Sequence, residues 1–110
     1  MHAETPKHNH APIAMTPQKD GFDGINNLGD FCISEDGARI QLAIPSTRPF
    51  LQKEKGWTYI DLRIYAAGTP KPEPVAWEWD GNREKPTLSP SIWTHGHWHG
   101  WVRNGEMIEA

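Results

Sequence analysis

The nine residues from Trp57 to Tyr65, Trp-Thr-Tyr-Ile-Asp-Leu-Arg-Ile-Tyr, alternate with a period of two. That period is the pleat of a β-strand and does not fit one face of a helix. It puts Ile60, Leu62 and Ile64 on a core face and Trp57, Tyr59, Asp61, Arg63 and Tyr65 on the other. No helical period longer than two turns and no internal repeat appears elsewhere in the chain. Ten glycines and ten prolines in 110 residues instead cut it into short segments joined by turns. The expected architecture is mainly β, a small antiparallel sheet domain built of hairpins.

The flanking segments agree with this. Phe31–Ser34 and Ala38–Ile44 read as two strands around the turn Glu35-Asp36-Gly37, with Ile40, Leu42 and Ile44 on one face. Gly68 to Pro74 holds three prolines and reads as a stiff loop, because each proline removes an N–H and restricts the residue before it. Val75, Trp77 and Trp79 then alternate into a short strand that ends at the turn Asp80-Gly81-Asn82. Near the end, Asn104-Gly105 lies between Trp98–Arg103 and Glu106–Glu109. Asn-Gly favours the positive φ angles of a type I′ turn, so this is a two-residue hairpin. Trp57, Trp77, Trp79 and Trp101 are expected to be core or half-buried sheet residues, since a small β domain gains much of its burial from a few large rings.

Residues 1–20 are polar, interrupted by proline and without period, and read as a disordered tail ahead of a single β-rich domain over 21–110. His2, His8 and His10 in it are read as solvated. A net charge of −3, without clustered Lys and Arg, argues against a nucleic-acid partner. Cys32 is the only cysteine, so neither an intramolecular disulfide nor a cysteine-rich zinc site is available, and a reducing cytoplasm is the expected location. No apolar run approaches the roughly 18 residues of a membrane span, so no membrane partner is expected.

Residues 77–105 hold five of the six tryptophans together with His95, His97 and His99. On one straight strand these histidines share a face at roughly 6.5 to 7 Å intervals, and such a set can hold zinc or another transition metal. Alternatively, Thr94 to His97 is a loop around Gly96, and Leu88–Trp93 pairs with Trp98–Arg103. If Thr94 lies opposite Trp98, then Ser91 lies opposite Trp101 and diagonal to His99, within side-chain reach. On a straight strand Ser91 and His99 would be roughly 26 Å apart. The two readings predict different backbones, and spacing alone leaves both open.

The run Trp77-Glu-Trp79-Asp80-Gly81-Asn82, followed by Pro86-Thr87-x-x-Pro90-Ser91-Ile92 and then His99-Gly-Trp-Val-x-Asn-Gly105, resembles a family of small phage and prophage proteins. Members have often carried an ammonia-monooxygenase label, and relatives in bacterial ubiquitin-like conjugation operons look like serine-type peptidases. The resemblance covers roughly residues 75 to 108, and the gap before the histidine varies in length as a loop would. It implies Ser91 as nucleophile, His99 as base and Asp80 or Glu84 as the group that orients the imidazole. It also implies Asn82, Thr87 and Trp101 at a protein or peptide substrate. Serine chemistry of this kind requires no cofactor, whereas the alternative readings are a zinc site at His95, His97 and His99 or a protein-interaction module without catalysis. The paired cysteines of the family's metal knuckle are not matched here, since the corresponding segment has Cys32 alone, and Trp98 stands where many members carry cysteine.

Overall fold

The structure is a computed structural model that describes residues 11–19, 21–46, 56–94 and 98–110. Among the described residues nine strands follow in chain order: β1 (Ile13–Ala14), β2 (Thr16–Pro17), β3 (Asp30–Ile33), β4 (Arg39–Pro45), β5 (Trp57–Ala66), β6 (Trp77–Trp79), β7 (Leu88–Thr94), β8 (Trp98–Arg103) and β9 (Glu106–Glu109), with a 3-10 turn, Gly21–Gly24, before β3. They form one sheet in the order β1-β9-β8-β7-β6-β5-β4-β3-β2. The fold is therefore mainly β, as the alternation required.

The two end strands of this sheet, β1 and β2, are consecutive in sequence and separated only by Met15. Ile13 and Ala14 pair with Met107 and Glu106 of β9, while Thr16 and Pro17 pair with Asp30 and Phe31 of β3. The Met15 N–H donates to Gly105 O on one side, and the Thr16 N–H donates to Gly29 O on the other. One short segment thus ties both ends of the sheet together and nearly closes it into a barrel. Residues 13–17 fall within the stretch read as a tail, yet Met15 is buried in the core. Polar, proline-broken sequence hides this role because the segment needs only one inward side chain and a few backbone bonds. Residues 1–10 lie outside the described residues.

A second difference concerns strand direction. Most neighbours are antiparallel, including the β3–β4, β4–β5, β7–β8 and β8–β9 hairpins or ladders, but β2–β3 and β5–β6 are parallel. The proline-rich loop after Ala66 carries the chain back alongside β5 instead of reversing it, so Ile64 pairs with Trp77 and Ala66 with Trp79. Val75 lies outside the strand and is exposed, which shortens the expected alternation to Trp77–Trp79.

The barrel interior is filled by Met15, Phe31, Ile40, Leu42, Ile44, Ile64, Trp79, Leu88, Ile92, Trp98, Val102 and Met107. Ile60 and Leu62 pack against this core as their period predicted. Trp57, on the opposite face of β5, is also buried, because Ile25 and Ala43 join it in a small outer cluster. The buried Asp30 holds the covering loop by accepting the Asn26 and Asn27 N–H groups at 2.9 and 3.0 Å.

Candidate active site

β7 and β8 form an antiparallel pair that begins at Thr94↔Trp98 and continues through Trp93↔His99 and Ile92↔Gly100. Thr94 and Trp98 are thus antiparallel partners, the register on which the hairpin reading was built. His95 and His97 themselves lie outside the described residues. Among the described residues, no group of three His, Cys, Asp or Glu side chains is placed to hold a metal.

Beyond Ile92 the register shifts, and Leu88 pairs with Val102. Ser89, Pro90 and Ser91 thus stand against Trp101 alone, in an irregularity that re-aims the strand. Pro90, joined to Ser89 by a cis bond, has no N–H to give to a ladder. Leu88, Ile92, Trp98, Gly100 and Val102 point into the core, while Ser89, Trp93, His99 and Arg103 are exposed. Ser91 and His99 therefore share the outer face, with Ser91 Oγ 3.1 Å from His99 Nε2. The pairing foreseen from Thr94↔Trp98 brings them together, and the irregular stretch sets the final approach.

Around this pair, the Trp93 ring lies 6.1 Å from the imidazole, tilted by 41°. The Trp77 indole N–H donates to Ser91 O at 3.2 Å. Trp101 is half-buried, and the Arg103 guanidinium stacks on its ring at 4.2 Å. The face is open: Trp93 is 70% exposed. A groove of about 560 Å³ beside β2 and β3, lined by Pro17, Phe31, Cys32 and Arg83 among others, does not include Ser91 or His99.

The other motif residues are held in the turns that support β7 and β8. Asp80 Oδ1 accepts the Asn82 and Thr87 N–H groups at 3.1 and 3.2 Å. Asn82 Oδ1 accepts the Glu84 and Lys85 N–H groups at 2.9 and 2.8 Å, and Asn82 O accepts the Trp79 indole N–H at 3.1 Å. Thr87 Oγ1 accepts the Asn104 N–H at 2.9 Å, and Pro86 O accepts the Gly105 N–H at 3.0 Å. The Asp80 turn, the Pro86-Thr87 segment and the Asn104-Gly105 hairpin are thereby locked into one frame. Among the described residues, no carboxylate hydrogen-bonds His99, and Glu84 is exposed at the turn. By its alternation Trp77 is a sheet-packing residue; only the register, which local pattern does not carry, brings its indole to Ser91.

The molecule is a small, nearly closed β-sheet protein with a serine–histidine pair on an open outer face. The chain belongs to the BubE family, described as the bacterial ubiquitination-like system serine protease, whose model matches residues 5–110. No curated protein and no solved structure matches it. The match carries the conjugation-system side of the resemblance and extends it over almost the whole chain. It carries neither a phage or prophage origin nor the ammonia-monooxygenase label.

Proposed function

We propose that this protein is a serine-type peptidase acting on protein conjugates of a ubiquitin-like system, with Ser91 as nucleophile and His99 as general base. The observation that carries the reading is the 3.1 Å approach of Ser91 Oγ to His99 Nε2 across the β7–β8 pair. A base within hydrogen-bond reach is what an unactivated hydroxyl needs in order to attack a carbonyl. His99 Nε2 takes the Ser91 proton as Oγ bonds to the carbonyl carbon. The same proton is then passed to the leaving amine, giving an acyl-serine that water cleaves by the reverse sequence. An open face with exposed Trp93 and half-buried Trp101 suits an extended polypeptide better than an enclosed small molecule.

The test is labelling with a fluorophosphonate. Wild-type protein is expected to be modified at Ser91, Ser91→Ala not at all, and His99→Ala more slowly by about 10²- to 10⁴-fold. Labelling that persists unchanged in Ser91→Ala overturns the reading. The chemistry calls on protein groups alone, so treatment with a chelator is expected to leave the rate unchanged. A zinc ion held through His99 Nε2 would occupy the lone pair that Ser91 uses, and removing it would instead raise the rate.

A further inference from the structure

We infer that Trp77 is a positioning residue for the nucleophile, acting through the hydrogen bond from its indole N–H to the Ser91 carbonyl. The inference rests on the proposed role of Ser91. In β7 the register is lost between Leu88 and Ile92, so Ser91 has no register partner on β6 or β8 among the described residues. Its neighbour Pro90 offers no N–H. The 3.2 Å bond from Trp77 Nε1 spans 14 residues and holds the carbonyl of the residue whose Oγ meets His99. β6 places the indole there, because its own pairings, Glu78↔Ser89 and Trp79↔Leu88, stop just short of Ser91. A reacting hydroxyl displaced by about 1 Å loses on the order of 10²-fold in rate. Removal of the indole N–H therefore acts on the rate of the chemical step more than on encounter with the reagent.

The experiment follows the inactivation kinetics of a fluorophosphonate, separating the maximal rate from the half-saturating concentration. Trp77→Phe keeps a ring and removes the N–H; its maximal rate is expected to fall roughly 10- to 100-fold, with half-saturation within about twofold. Trp79→Phe is the comparison for stability, since it removes an indole bond to Asn82 O from the same strand. It is expected to lower the unfolding midpoint at least as much while keeping the maximal rate within about threefold. A Trp77→Phe rate equal to wild type overturns the inference and leaves the Ser91–His99 reading standing, whereas wild-type protein that is not labelled at Ser91 removes both. Should Trp77→Phe fail to fold, the wild type still decides. The Trp77 indole N–H is expected to show slowed solvent exchange and a resonance shift when Ser91 is modified, and free exchange with no shift overturns the inference.

Discussion

Gly100 follows His99 directly and shows how tightly the core backs the outer face. A Cβ at this position would lie 2.1 Å from Trp98 Cζ2 and 2.7 Å from Ile108 O. The buried Trp98 ring folds across the space a side chain would need. Gly100→Ala is therefore expected to destabilise the protein by about 1–3 kcal/mol or more, read by chemical denaturation, because ring and strand must both move. Asp80 offers a different contrast. If its carboxylate works as a turn acceptor for Asn82 and Thr87, Asp80→Ala lowers the unfolding free energy by about 1 kcal/mol and leaves the pH profile of Ser91 labelling in place. A changed profile at unchanged stability would return Asp80 to the orienting role. Ser91, His99 and Asp80 were all legible as chemically capable side chains, and the hairpin reading already set Ser91 beside His99. That Asp80 is taken up by the Thr87 N–H was not legible, because that bond depends on how the chain returns after the turn.

The two hairpin turns behave as their sequences say. Asn104 and Gly105 have φ of 49° and 76°, and the strands on either side begin pairing at Arg103↔Glu106. In the β3–β4 turn, Asp36 accepts the Ser34 hydroxyl at 2.7 Å and the Ala38 N–H at 3.0 Å. The Ser34 hydroxyl and then the Ala38 N–H hold the Asp36 carboxyl below its ordinary range. A carboxylate whose pKa is depressed in the folded state contributes stability above its unfolded value and loses it as pH falls through the folded one. Thermal unfolding is thus expected to separate wild type from Asp36→Asn near neutral pH and to bring them together as pH falls through the lowered folded-state range of this carboxyl. β7 is the element where local pattern ran out. The Pro-Ser run announces irregularity, but only pairing with β8 shows that three residues stand against one.

At the scale of the whole molecule, closure depends on residues 13–17. Met15 lies between β1 and β2 and reaches the core with 8% exposure. Met15→Ala is expected to cost about 2–5 kcal/mol. Hydrogen exchange should quicken first in β9 and β3, the strands that the segment joins. Uniform loss of protection across all strands would mean that this segment is not a separate clasp. The site lies on β7 and β8, and β9 next to β8 is one of the two strands the clasp holds. A looser clasp is therefore expected to slow Ser91 labelling less than it lowers stability.

The sequence by itself determined the β character, the inward faces of β4 and β5, the Asn104-Gly105 turn and the identity of a serine and a histidine eight positions apart, since each follows from local period or local turn chemistry. Tertiary structure decided what depends on contacts between distant segments. It closed the sheet through Met15, ran β6 parallel to β5, buried Trp57 beneath Ile25, engaged Asp80 in its turn and brought the Trp77 indole to Ser91. The physical reason is that a strand's pattern states which side chains face inward but not which strand lies beside it. The pairing of neighbours is settled only when the whole core packs.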